Sequence, residues 1–329
     1  MSANTIALLG AGSWGTAIAV HLAKSGNRVL LWARNVEHVR EMQEQQCNQR
    51  YLPLTPFPDT LTVTADLHHA LSEADYCIIG VPSIAFTSLV QRMPKPAKGL
   101  AWLTKGVDPD THSLFSHVIS TQWGDDYPIA IISGPSFAGE VAKDLPTALT
   151  LASNNPLFQQ NIHSLLHQNN LRVYLSNDVI GVQLCGAVKN VLAIACGISD
   201  GLGYGANAKA ALITRGLAEM RRLGNALGAR DESFMGLAGV GDLVLTCTDD
   251  QSRNRRFGLY LGRGEDIPAA EQKIGQVVEG KHNARQVCSL ARQHGIEMPI
   301  CMQIEALLSN SITPQQAVAN LMNRSPRDE

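Results

Sequence analysis

The stretch TIALLGAGSWGTAIAVHLAKSGNRVLLWAR, residues 5 to 34, decides the fold. Ile6 to Leu9 is an apolar run of strand length, Gly10 to Gly15 spells GxGxxG, a helix runs on to about Lys24, and Arg28 to Trp32 is a second strand. In that setting Gly10 permits a tight turn, Gly12 lets a pyrophosphate approach the backbone, and Gly15 lets the helix pack closely on the strand. The helix N-terminus then presents free N–H groups to phosphate. GxGxxG alone is also what an ordinary glycine-rich turn looks like; the order strand, turn, helix, strand points to a dinucleotide.

Arg34 stands just past the second strand, roughly 20 residues beyond the glycines, where an NAD site places an Asp or Glu on the ribose. An arginine there accepts a 2′-phosphate, which favours NADP(H) and leaves NAD(H) open. A solvated loop arginine is the other reading.

Working outward, further short apolar runs fall at Leu61 to Thr64, Tyr76 to Gly80, Leu100 to Thr104, Ile129 to Ser133, Ala148 to Ala152 and Arg172 to Leu175. Amphipathic stretches between them predict a parallel sheet with helices on both faces. After Leu175 helical periodicity takes over, through Ala206 to Leu227 and Lys281 to Gln293, to a last helix opened by Thr313 as N-cap with Pro314 at the first position. The reading is an α/β Rossmann-like dinucleotide-binding domain over residues 1–180 and an all-α domain over 181–329. The tail from Ser325 to Glu329 reads as disordered.

Composition agrees with two globular domains, since 329 residues exceed the ~150 of a single one. Charged residues are sparse at 17% against the usual ~25%, which signals extensive buried surface or an oligomer. A net charge of -2 gives no basic field for nucleic acid or anionic lipid, so an anionic ligand needs a local site. The seven cysteines include no CxxC pair and read as reduced, buried thiols of a cytoplasmic protein. No Lys or Arg precedes the apolar N-terminal run, and three glycines interrupt it, which argues against an export signal. Val179 to Ile198 is long enough for a membrane helix, but Lys189 lies mid-span, where insertion costs roughly 2.5 to 3.5 kcal/mol. A buried helix without stable membrane insertion is expected.

Lys189 is therefore a candidate for chemistry. Its charged form is disfavoured in apolar surroundings, which suits proton transfer, whereas a lysine that snorkels outward along its stem is equally compatible with position alone. Asp242, in the glycine-rich GLAGVGDLVLT, is a candidate partner. Ser252, Arg253 and Asn254 join a hydroxyl, a guanidinium and an amide in one polar loop suited to phosphate and hydroxyl groups. Arg255 and Arg256 extend it to RNRR, yet Asp249 and Asp250 lie upstream and no aromatic series supports nucleic-acid stacking. His163 and His167, and His68 and His69, lack an acidic set to complete a metal site and read as surface residues.

At this point the chain resembles the NAD(P)-dependent glycerol-3-phosphate dehydrogenases of the bacterial type. The resemblance spans nearly the whole sequence and rests on GAGSWGTA at Gly10 to Ala17, TKG at Thr104 to Gly106, GPSFA at Gly134 to Ala138, KN at Lys189 and Asn190, GLAGVGDL at Gly236 to Leu243, SRN at Ser252 to Asn254 and VVEG at Val277 to Gly280. It implies that Ser13, Trp14, Arg34, Lys105, Ala138, Arg253, Val277 and Glu279 contact the dinucleotide. Lys105, Gly134, Ser136, Lys189, Asn190, Asp242, Ser252, Arg253 and Asn254 would surround the substrate, with Lys189 as general acid and base and no metal required. The implied reaction is reversible reduction of dihydroxyacetone phosphate to sn-glycerol 3-phosphate, supplying phospholipid synthesis, by a homodimer. Two rivals stay open on KN alone or on the turn alone: a dehydrogenase for a 3-hydroxy acid such as 6-phosphogluconate, and a non-catalytic NADPH sensor.

Overall fold

The computed structural model describes residues 4–324, so the tail Ser325 to Glu329 lies outside the described residues. The chain divides into two compact units, one of Met1–Lys105 with Phe115–Val182, the other of Gly106–Leu114 with Gln183–Glu329. The short segment Gly106–Leu114, embedded in the first half of the sequence, is thus grouped with the second unit.

Among its described residues the first unit has ten strands: β1 (Thr5–Leu9), β2 (Arg28–Trp32), β3 (Cys47–Asn48), β4 (Leu52–Pro56), β5 (Leu61–Thr64), β6 (Tyr76–Ile79), β7 (Leu100–Trp102), β8 (Ile129–Ser133), β9 (Thr147–Ser153) and β10 (Leu171–Ser176). Eight of them form one sheet in the order β10-β9-β8-β7-β6-β1-β2-β5. From β5 to β8 the neighbours are parallel and follow the strand order of a Rossmann sheet, with the switch point between β1 and β6. The C-terminal end of β1, where the glycine turn begins, lies at that switch point, the place where open α/β sheets bind ligands. The central strands are apolar throughout because both sheet faces are covered, and Ile6, Leu8, Leu30, Ile78, Ala101 and Ile132 are inaccessible or nearly so.

Two features correct the expectation of a wholly parallel sheet. β9 runs antiparallel to β8, pairing Ala130 with Ser153 and Ser133 with Thr150. The connection carries only the short helix Ala138–Ala142, and the chain turns back beside β8 instead of crossing over the sheet. A small antiparallel hairpin, β3 with β4, also sits between the second helix and β5.

Among its described residues the second unit has no strand. The division falls one turn into the helix Val179–Gly201, which is apolar and long enough to cross a bilayer, yet 94% of its most apolar window is buried within the protein. Arg253–Gly262 packs on it at main-chain contact. A Cβ added to Gly197 or Gly201 would overlap the carbonyl oxygens of Arg255 and Leu259, and one added to Gly258 or Gly262 would overlap those of Ile194 and Ile198. The last helix, Pro314–Met322, opens with the Thr313 cap, completed to a capping box by Gln316. All seven cysteines are buried as thiols.

Candidate active site

In the first unit the glycine turn is built as a cradle. Gly10 has φ +126°, and a Cβ on it would stand 2.6 Å from the Gly80 carbonyl carbon, at the end of the neighbouring strand. A Cβ on Gly15 would overlap the Gly10 oxygen, so both positions exclude any larger residue. Gly12, by contrast, faces open space and is the N-cap of the helix Ser13–Lys24, which receives no side-chain cap. An uncapped N-terminus leaves donors for a ligand. This geometry fits a dinucleotide pyrophosphate. Arg34 is exposed just beyond β2, and Trp14 packs partly buried on the core.

Farther along the same unit, one carbonyl gathers two candidate residues. Lys105 Nζ and Ser136 Oγ both donate to Gly134 O, at 3.3 Å and 3.1 Å. Ala138 opens the short helix that follows and packs on the core.

The second unit holds the denser cluster. Lys189 points inward: its Nζ donates to Asp242 Oδ1 at 2.7 Å and to Thr246 Oγ1 at 2.7 Å. The Thr246 hydroxyl reaches the same Asp242 oxygen at 3.3 Å. Asp242 starts the helix Asp242–Thr248 directly after one π-helical turn, Leu237–Gly241, a local widening found most often where a side chain must be aimed. Thr246 follows Asp242 by one helical turn, so both face Lys189. Thr246 was not among the residues selected from the sequence; its i+4 spacing from Asp242 on a buried helix was the available signal.

Beside this cluster, Asn254 Nδ2 donates to Asn190 Oδ1 at 2.9 Å, and Gly280 N–H donates to Asn254 Oδ1 at 2.9 Å. The Asn190 amide also donates to Gly186 O at 3.3 Å. Ser252 spends its hydroxyl as the N-cap of Arg253–Gly262, accepting from Arg255 N–H at 3.2 Å. Arg253 donates to Gln276 Oε1 at 3.0 Å; burial lowers the pKa of its guanidinium and Glu279 opposes that shift. Val277, two residues before Glu279, is exposed. Arg255 is held on Asp200 at 2.6 Å and also pairs with Asp250, so its guanidinium is occupied by ion pairs.

The histidine pair differs from the surface reading. His163 and His167 are half-buried, and His163 Nε2 donates to Val173 O at 3.2 Å while His167 Nδ1 accepts from Val173 N–H at 3.1 Å. Their ring nitrogens bind the helix Pro156–Leu166 to β10, which explains the spacing without a metal. The surface hollow bounded by Lys95, Pro96, Trp123, Asp125, Asp126 and Tyr127 contains none of the site residues.

A Rossmann-order sheet with an open glycine cradle, in a chain that also buries a lysine against a carboxylate and a hydroxyl, defines the class of two-domain dinucleotide-dependent oxidoreductases. Comparison with known proteins narrows the class. Residues 5–159 match the model of the NAD-dependent glycerol-3-phosphate dehydrogenase N-terminus, and residues 178–319 match that of its C-terminus. The chain is 65% identical over 329 residues to glycerol-3-phosphate dehydrogenase (NAD(P)+) of Legionella pneumophila strain Paris, with 100% of both chains covered. It is 54% identical over 332 residues, again with full coverage of both, to the protein of that name from Thioalkalivibrio sulfidiphilus. The crystal structure of glycerol-3-phosphate dehydrogenase from Coxiella burnetii superposes with a TM-score of 0.94 at 51% identity, covering 98% of this chain and 99% of that one. The chain belongs to the NAD-dependent glycerol-3-phosphate dehydrogenase family.

Proposed function

We propose that this enzyme reduces dihydroxyacetone phosphate to sn-glycerol 3-phosphate, reversibly, with NADPH or NADH, in the cytoplasm, as a homodimer whose product feeds phospholipid synthesis. The observation that carries the reading is the buried set Lys189, Asp242 and Thr246 in a chain with the family's full-length match. Bound NAD(P)H supplies the hydride.

The protein's own residues do the rest. Gly10, Gly12, Ser13, Trp14 and Gly15 hold the pyrophosphate end, with Arg34 at the adenosine phosphate and Lys105, Ala138, Arg253, Val277 and Glu279 completing the dinucleotide contacts. Lys189 donates a proton to the C2 oxygen during reduction and takes it back in the reverse direction. Asp242 and Thr246 keep Nζ in one orientation, so the ammonium is positioned before substrate arrives. Arg253 and Asn254 bind the phosphate, and Asn190, braced by Asn254, holds the substrate with Lys105, Gly134, Ser136 and Ser252. A fork of guanidinium donors suits a dianion in a protein of almost no net charge.

The deciding measurement is NADPH oxidation with dihydroxyacetone phosphate, set against oxidation of 3-hydroxy acids such as 6-phosphogluconate. Turnover of the triose phosphate alone supports the assignment; turnover of the hydroxy acid alone, or cofactor binding without any turnover, overturns it.

A further inference from the structure

The underside of the glycine turn is held by one residue of the small hairpin. Asn48, on β3, is fully inaccessible to solvent, and its amide is saturated. Nδ2 donates to Ala11 O at 2.9 Å and to Thr16 Oγ1 at 2.8 Å. Oδ1 accepts from His38 Nε2–H at 3.0 Å and is reached by Tyr51 N–H at 3.3 Å. One side chain thus joins the second residue of GxGxxG, the first turn of the helix behind it, and the helix Val36–Gln45 that follows β2.

The hold on Ala11 has a directional consequence. The Ala11–Gly12 peptide is trans, and in a trans amide the C=O and N–H point in opposite directions. Because Asn48 grips the Ala11 oxygen from the buried side, the Gly12 N–H is turned toward the open side, where a Cβ on Gly12 would meet nothing within 4 Å. As N-cap donor, that N–H has no acceptor within its own helix. Thr16 N–H closes the first helical bond to Gly12 O at 2.9 Å, so the next peptide along the turn is fixed as well.

We infer that Asn48 is a positioning residue for the cofactor: by anchoring Ala11 O through Nδ2, it aims the Gly12 N–H at the dinucleotide pyrophosphate. The inference rests on the reading of the glycine turn as the pyrophosphate site. Without this anchor the peptide can rotate, and the donor must be reoriented each time the cofactor binds. That cost falls on cofactor binding, while the proton-transfer residues, which belong to other elements, are untouched.

Steady-state kinetics of the full-length enzyme test this. Asn48→Leu, similar in volume but without hydrogen bonds, should raise KM for NADPH at least tenfold. At saturating NADPH, kcat and KM for dihydroxyacetone phosphate should stay within twofold. Thr16→Val removes one Asn48 partner and spares Ala11, and should keep KM for NADPH within threefold. If Asn48→Leu does not fold, Asn48→Ser, too short to reach Ala11 O, should raise the same KM at least threefold with kcat preserved. An unchanged KM for NADPH in a folded Asn48 variant overturns the inference, as does a parallel fall in kcat, which would mark general damage. If the unaltered protein itself failed to bind NADPH, the reading of the turn would fail instead.

Discussion

Lys189 Nζ and Asp242 Oδ1 stand 2.7 Å apart with their side chains only 8% and 1% exposed. Two charges so deeply buried are tolerable because each neutralises the other and Thr246 supplies a further hydrogen bond. The inward position also rules out snorkelling, one of the two fates its place in the sequence allowed. Removing one partner leaves the other buried and uncompensated, so the proposed proton transfer and the stability of the fold are linked at this pair.

Lys189→Met should accordingly lower turnover by about 10² to 10⁴, the usual worth of a positioned general acid. It should also cost stability, on the order of 3 kcal/mol, because Asp242 is left without its cation. Adding Asp242→Asn should recover part of that stability and none of the activity. Turnover and thermal unfolding of the two variants separate these effects; near-normal turnover in Lys189→Met would remove the lysine from the mechanism.

Arg34→Asp should reverse cofactor preference. The exposed guanidinium just beyond β2 is replaced by a carboxylate that repels a 2′-phosphate and can accept from a ribose hydroxyl. NADPH should therefore weaken far more than NADH in parallel titrations. Equal weakening of the two would show that Arg34 does not read the phosphate.

Arg253→Ala should raise KM for dihydroxyacetone phosphate, and Arg253→Lys should restore only part of the loss. The guanidinium can keep its 3.0 Å bond to Gln276 and still present further donors to phosphate, which an ammonium cannot match in plane. A lysine variant with unaltered KM, or reduction of phosphate-free dihydroxyacetone as fast as its phosphate by the unaltered enzyme, would refute the clamp.

Glu219 gives a stability prediction away from the site. Its carboxylate accepts from Ile300 N–H at 2.6 Å and Cys301 N–H at 3.2 Å, capping the helix Pro299–Leu308, while burial pushes its pKa up to about 7 from an ordinary 4.5. The folded protein therefore holds a proton that the unfolded chain has released between these values. Stability from this group is fully present below about pH 4.5 and declines as pH rises through about 7, by roughly 3 kcal/mol in all. Glu219→Gln should flatten the unfolding temperature across that window relative to the unaltered protein, after subtraction of the opposite trend from His21, whose pKa burial lowers. An unchanged pH profile would mean that Glu219 is ionised like an exposed carboxylate.

Much of the first unit could be read from its residues because parallel strands buried on both faces appear as unbroken apolar runs. All eight strands of the main sheet lie at short strand-like runs, unbroken and apolar at the sheet's centre and alternating between buried and exposed residues in β5 and β10. Strand direction is not carried by those runs, so the reversal at β9 went unread. The β3–β4 hairpin was invisible for another reason: Pro53 and Pro56 interrupt it, and Leu54 is 92% exposed at φ +65°, which breaks any apolar alternation. At the site, Lys189 and Asp242 stood out as charges in apolar segments. Thr246 did not, since a threonine in DLVLTCT looks like packing until its neighbour across the helix pair is known. The glycines at 197, 201, 258 and 262 repeat every fourth residue, a legible pattern whose meaning depended on finding both helices side by side.

That meeting of helices governs what can change in this enzyme over time. At most joints a side chain can shrink while its neighbour grows, and the axes drift apart or together by small compensated steps. Between Val179–Gly201 and Arg253–Gly262 main chain rests on main chain, and an added carbon at any of the four glycines has no side chain to trade against. The spacing from which Asn190 on one helix meets Asn254 on the other is in effect a gauge block, inherited whole or lost whole. A substitution that leaves this contact intact alters only the groups that hang from the two rods, and the distance between the rods stays as the backbone sets it.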